Sequence, residues 1–255
     1  MREGILLASL TDRVAIVTGG GAGIGRATAL LFSHEGARIV VADISMQAAR
    51  QVAEEITREN RDAVALTTDV MQRDSVQKMV EESLRRWGRI DILVNIVGGS
   101  FPKPVLEMEE SEWDRVVNLN LKSVYLCCRA VLPAMAQGRY GKIVNLASAQ
   151  AFTGSETRAN YTAAKLGVVG FSKSLALEVI GLGINVNVVA PGLVATERVR
   201  SRFTEEGWKE VTSARPMGRA VMPEEIAGAI LFLVQDSQAS VTGQIIHVNG
   251  GAVMI

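Results

Sequence analysis

The sequence predicts an α/β fold built on a parallel sheet, and three observations carry that expectation. Seven short apolar runs, at 13–18, 37–42, 63–68, 90–94, 142–147, 184–190 and 244–248, alternate with segments of helical periodicity. The first run leads directly into the glycine-rich stretch 19–25 (GGGAGIG), which opens a helical segment. The 255 residues are 48% hydrophobic and 21% charged, with no Pro/Gly/Ser-rich linker and no repeat beyond the alternation. One domain spanning 1–255 is expected, its strands joined by right-handed βαβ crossovers.

Charge and cysteine usage narrow the function classes. Lys+Arg and Asp+Glu balance at 27 each, and no basic run is long enough to bind nucleic acid or an anionic membrane. No stretch approaches the ~20 apolar residues of a membrane helix. Residues 1–10 hold too short an apolar run for a signal peptide. The two cysteines, Cys127 and Cys128, are neighbours in a helical segment and unsuited to bridging each other. A cytoplasmic protein is expected. Neither His34 nor His247 has ligand neighbours at metal-binding spacing, so no metal is assigned.

Taken in order, run 13–18 and the helix at 26–34 flank the glycines, the context a phosphate-binding turn requires. Gly19 permits a tight turn, while Gly23 and Gly25 let backbone and ligand approach, with helix N–H groups facing a pyrophosphate. Run 37–42 ends in Asp43, 18 residues after Gly25. A carboxylate there accepts from an adenosine ribose and repels a 2′-phosphate, which favours NAD over NADP; a helix N-cap is the competing reading. A helix at 47–59 follows, then run 63–68 with Asp69 and Val70 placed to flank an adenine. Next come a helix at 73–86, run 90–94 leading to Asn95 and Gly98, and a helical region at 110–135 interrupted at 118–120. Run 142–147 carries Ser148 at its carboxyl end, where ligands bind in an open parallel sheet. Residues 150–160 are read as a loop shaping a pocket wall. Residues 194–213 are polar and weakly patterned, as a substrate lid would be. Pro223 opens the last helix, 223–234.

Tyr161 and Lys165, four apart in the helix read at 159–178, lie one turn apart on one face. An ammonium beside a phenol favours the phenolate, so the Tyr161 pKa is expected to fall and the group to serve as an acid/base. Taken alone, the pair reads first as a tyrosine packed under a lysine stem.

The ordered set Thr18-Gly19-xxx-Gly23-x-Gly25, Asp43, Asp69, Asn95-xx-Gly98, Asn120, Ser148, Tyr161-xxx-Lys165 and Pro191-Gly192-xxx-Thr196 resembles the short-chain dehydrogenase/reductase family over about residues 12–251. The resemblance implies a Rossmann-type doubly wound domain with strand order 3-2-1-4-5-6-7. It makes Tyr161 the general acid/base, Lys165 its partner and a holder of the nicotinamide ribose, and Ser148 a donor to the substrate oxygen. Asn120 would anchor a water in a proton relay. Gly19, Gly23, Ile24 and Gly25 would meet the pyrophosphate and Asp43 the ribose. Asp69 and Val70 would lie at the adenine, Asn95 and Gly98 along the nucleotide, and Val194 and Thr196 at the carboxamide beyond Pro191-Gly192. A homotetramer through two long helices is also implied. Two departures from the family pattern stand out: Ile96-Val97 replaces Asn-Ala, and Asn249 replaces Asp.

The expected activity is NAD-dependent oxidoreduction of a secondary alcohol or ketone. The alternatives are a 3-oxoacyl-thioester reductase and a non-catalytic NAD-binding redox sensor. Pocket walls are expected from 99–104, 150–160 and 194–213, with Phe101, Phe152, Val199, Phe203 and Trp208 favouring a medium-sized apolar substrate.

Overall fold

The computed structural model describes residues 9–255; the reading of residues 1–8 lies outside them. The strands are β1 (Val14–Thr18), β2 (Arg38–Asp43), β3 (Ala63–Thr67), β4 (Ile92–Asn95), β5 (Gly141–Leu146), β6 (Ile184–Pro191) and β7 (Ile245–Val248). The helices are α1 (Gly23–His34), α2 (Met46–Arg58), α3 (Arg73–Trp87), α4 (Glu110–Val117), α5 (Ser123–Gly138), α6 (Gln150–Thr153), α7 (Ala159–Val179), α8 (Glu197–Arg200), α9 (Glu205–Ser213) and α10 (Pro223–Val234).

All seven strands pair in parallel, as the apolar runs predict, in the order β3-β2-β1-β4-β5-β6-β7 that the family resemblance implies. β1 neighbours both β2 and β4. The strand order therefore reverses there, leaving a crevice above the carboxyl ends.

Both faces of the sheet are covered, which explains why the strands read as near-continuous apolar runs rather than alternating ones. Ala15, Val17, Ile39 and Val41 point to one side, against Phe32 of α1, Ile56 of α2 and Ile226 and Ile230 of α10. Ile16, Val40 and Leu93 point to the other, against Met79 of α3, Val131 of α5 and Val168 and Leu175 of α7. Each of the larger side chains contributes roughly 1.5–3 kcal/mol of burial.

Three segments differ from the sequence reading. The break expected at 118–120 is one wide helical turn, Asn118–Lys122, continuous with α4 and α5. The 150–160 loop contains the single-turn helix α6. The weakly patterned 194–213 segment folds into α8 and α9, started by the Thr196 and Thr204 hydroxyls, which accept from the Val199 and Gly207 amides at 3.3 and 3.1 Å. These turns are too short to print a 3.6-residue period in the sequence.

Cys127 and Cys128 are free and fully buried, and burial pushes both thiols up, leaving them unreactive. His34 faces Glu59 at 2.9 Å, and His247 packs edge-on against Phe152.

Candidate active site

The crevice holds two adjoining cavities, and Ile24, Ile96, Gly98, Thr196 and Arg198 line both. The first, of about 650 Å³, is bounded by Gly19, Gly23, Asp43, Ile44, Asp69, Val70 and Val97. The second, of about 510 Å³, contains Ser148, Tyr161 and Lys165 together with Pro191, Gly192 and Val194.

The first cavity rests on the start of α1. No side chain caps that helix and its first turn carries no acid, so its leading N–H groups are open to an anion. Gly23 has φ +52, and a Cβ there would lie 2.9 Å from Thr196 Cγ2. Gly25 serves packing instead: its Cβ would fall 1.9 Å from the Gly19 carbonyl oxygen, so only glycine lets α1 seat under the turn. Asp43 is held at the rim, accepting from the Gly21 and Ser45 amides at 3.0 Å each. Ser45, rather than Asp43, caps α2. Asp69 sits across the cavity, its amide donating to Ser75 Oγ at 2.9 Å. An uncapped helix start, a cradle that tolerates no side chain and a rim carboxylate fit a dinucleotide, and Gly19, Gly23, Ile24 and Asp43 all line this cavity.

Two predicted residues have their side chains committed elsewhere. Asn95 is buried and donates to Asn145 Oδ1 at 2.8 Å, in a network that reaches Ser172 of α7. Its side chain tethers β4 to β5 rather than facing the nucleotide cavity. Asn120 is fully buried. Its Nδ2 donates to the Gly99 and Val116 carbonyls at 2.8 and 2.9 Å, and its Oδ1 accepts from the Gly99 amide at 3.1 Å. The wide turn is what aims this amide backward, and Asn120 thereby pins the segment after β4. A Cβ at Gly98 would lie 2.6 Å from Asn120 Oδ1 and 3.1 Å from Lys165 Nζ, so both groups flank Gly98. The Ile96-Val97 departure is absorbed by the backbone: the Ile96 amide donates to Thr18 Oγ1 at 3.1 Å. Asn249 binds the Val253 carbonyl at 2.9 Å and so holds the C-terminal segment, whose Ala252 and Val253 line the second cavity.

Helix α7 delivers Tyr161 and Lys165, and the end of β5 delivers Ser148. The phenol contacts the Ser148 hydroxyl. The expected fall in the Tyr161 pKa is corrected here. Burial raises it, and the Ser148 contact and the charges of Arg158, Arg198 and Arg202 only partly offset the rise. Lys165 is itself 3% exposed and donates to the Leu146 carbonyl at 2.7 Å. Burial, with repulsion from Arg198, holds its pKa down to about 8. Desolvation is therefore the largest influence at both groups.

The second cavity is more cationic than the sequence suggests. Of the five aromatic or apolar wall residues expected, Val199 and Phe203 line it. Phe101 lies instead under Arg115, Phe152 on His247 and Trp208 on Phe203. Arg202 and Arg215 line it without having been singled out, because nothing local marks an arginine as pocket-facing. Among the described residues no group of three or more His, Cys, Asp or Glu side chains is placed to hold a metal, and no helix is long and apolar enough to cross a membrane.

The sequence model of the family described as "Enoyl-(Acyl carrier protein) reductase" matches residues 19–253. The chain belongs to the short-chain dehydrogenase/reductase family. It is thus an oxidoreductase built to use a nicotinamide nucleotide. Among its relatives, the 3-oxoacyl-[acyl-carrier-protein] reductase FabG of Thermotoga maritima is 38% identical over 245 residues, 96% of this chain and 99% of that protein. The 3-oxoacyl-[acyl-carrier-protein] reductase of Synechocystis sp. is 39% identical over 250 residues, covering 97% and 100%. Subunit BbsD of the (2S)-[(R)-hydroxy(phenyl)methyl]succinyl-CoA dehydrogenase of Thauera aromatica is 37% identical over 242 residues, covering 95% and 97%. This dehydrogenase/reductase keeps Ser148, Tyr161 and Lys165 together at the carboxyl ends of β5 and α7's first turns.

Proposed function

We propose that the protein interconverts a 3-oxoacyl and a 3-hydroxyacyl thioester, using NAD(H). The observation that carries the chemistry is that the Tyr161 phenol, the Ser148 hydroxyl and the Lys165 ammonium line one cavity at the carboxyl ends of the sheet. Two convergent hydroxyls suit a carbonyl oxygen that must be bound and then protonated. The thioester reading rests on the relatives, whose names concern acyl groups on a carrier protein or on CoA, and it is the alternative among the sequence expectations.

A bound nicotinamide nucleotide supplies or accepts the hydride. Tyr161 donates its proton to the oxygen as the carbonyl is reduced, and its raised pKa keeps it loaded near neutrality. Ser148 donates a hydrogen bond to the same oxygen. Lys165 stands behind the pair, its ammonium fixed by Leu146, and Asn120 holds the Gly98–Gly99 segment in register. The reduction rate is expected to be flat from about pH 6 to 8 and the oxidation rate to rise with pH, since only the latter needs the phenolate.

NAD is favoured by charge. The nucleotide cavity is lined by Asp43, Asp69 and Glu197 against the single cation Arg198, a poor setting for a 2′-phosphate. Residues 194–213 are proposed as the lid, 1–255 as one catalytic domain, and the assembly as a homotetramer. The exposed Tyr125 of α5 and Leu166 and Leu177 of α7 support the last.

The test is reduced-nicotinamide absorbance with NADH and NADPH against a 3-oxoacyl thioester of N-acetylcysteamine. Turnover with NADH preferred, and a preference that relaxes by about tenfold in Asp43→Ala, supports the reading. No turnover overturns the substrate class, and a fixed NADH/NADPH ratio in the variant overturns the role of Asp43.

A further inference from the structure

The two cavities carry opposite charge. The nucleotide cavity is acid-rich, whereas the second is lined by Arg158, Arg198, Arg202, Arg215 and Lys165 with no Asp or Glu at all. Among the described residues none of the four arginines forms an ion pair. The contrast within the lid is sharp: Arg200 is paired with Glu205, but Arg202, two residues on, is not.

Two of the four have a neutral partner. Arg158 donates to Gln150 Oε1 at 3.1 Å and Arg198 to the Gly98 carbonyl at 3.0 Å. The guanidiniums of Arg202 and Arg215 have no protein partner among the described residues. Both lie beside the apolar wall made by Val199, Phe203 and Val211. Arg198, Arg202 and Arg215 are exposed and Arg158 half-buried, and an anion entering the cavity gains charge-assisted hydrogen bonds from them that a neutral acyl chain does not. Arginine is also the side chain whose planar fork matches a carboxylate.

We propose that the acyl group carries a free carboxylate, held by Arg202 of the lid and by Arg215 just beyond it, with Arg158 lining the same cavity, so that the substrate is the monothioester of a 3-oxo or 3-hydroxy dicarboxylic acid. The proposal rests on the thioester reading above. It also assigns the lid a function: a carboxylate draws Arg202, between α8 and α9, toward the reacting carbon.

The experiment compares two N-acetylcysteamine thioesters of equal chain length, one 3-oxoacyl chain ending in methyl and one in carboxylate. N-acetylcysteamine carries no phosphate, so a matched pair of CoA thioesters separates attraction to the acyl carboxylate from attraction to carrier phosphates. The expected result is a kcat/KM at least about 30-fold higher for the carboxylate-ended compound, read mainly in KM. Arg202→Gln and Arg215→Gln should each cut that ratio by about tenfold, an effect a merely structural arginine would not confine to one substrate. Equal kcat/KM for the two compounds overturns the proposal while leaving the thioester reading in place. A preference for CoA over N-acetylcysteamine that ignores the terminal group and is lost in the arginine variants assigns the cations to carrier phosphates and also overturns it. Turnover of neither thioester, with the free 3-oxo dicarboxylate reduced instead, keeps the carboxylate site and overturns the thioester reading.

Discussion

The two ends of the sheet carry the same kinds of polar side chain and use them in opposite ways. At the amino ends, Tyr140 donates to Asp236 at 2.7 Å, Arg13 reaches Asp236 at 2.8 Å and stacks on the Tyr140 ring, and Asp91 accepts from the Val14 amide at 2.9 Å and from Arg89 at 2.8 Å. Lys142 donates to Asn185 at 2.7 Å. Both carboxylates there have an arginine partner, and the Lys142 ammonium has the neutral Asn185 amide. At the carboxyl ends a tyrosine, a lysine and several arginines lie together with no carboxylate beside them in the second cavity. A closed network stabilises; an open one is poised for a ligand and costs stability until the ligand arrives.

Matched substitutions at the two ends put that contrast to the test. Tyr161→Phe should lower turnover by about 10³-fold while nucleotide binding, followed by titration, stays unchanged; a variant at wild-type rate would remove the distinction between the ends. Lys165→Met bears on the cost of the open end. The Lys165 pKa of about 8 lies below its unfolded value of 10.5, so protonation penalises the folded state at neutral pH. That penalty disappears as pH rises from about 8 to 10.5. The stability of the variant relative to wild type should therefore be more favourable at pH 7 than at pH 10.5, by up to about 3 kcal/mol in urea unfolding. A pH-independent difference would mean the ammonium is not strained. Asp91→Ala should cost about 2 kcal/mol by leaving the Val14 amide unpaired, with kcat/KM of the folded enzyme unaltered. Tyr140→Phe, the same chemical change as Tyr161→Phe, should cost about 1 kcal/mol and leave turnover intact. A loss of turnover in either amino-end variant would show that the two ends are coupled.

The amino-acid sequence alone determined the architecture and much of the site. Seven apolar runs alternating with helical periods permit little besides a covered parallel sheet, because only strands buried on both faces read that way. The short-range motifs were equally legible: the glycines, Asp43, Ser148 and the Tyr161–Lys165 spacing each follow from one local geometry. The tertiary structure decided what depends on surroundings. It raised the Tyr161 pKa where pair attraction predicted a fall, since burial is set by neighbours distant in sequence. It turned Asn95 toward Asn145 and Asn120 toward Gly99, partners 50 and 21 residues away. And it gathered Arg158, Arg198, Arg202 and Arg215 around one cavity, because pocket charge sums over loops whose approach no local pattern encodes.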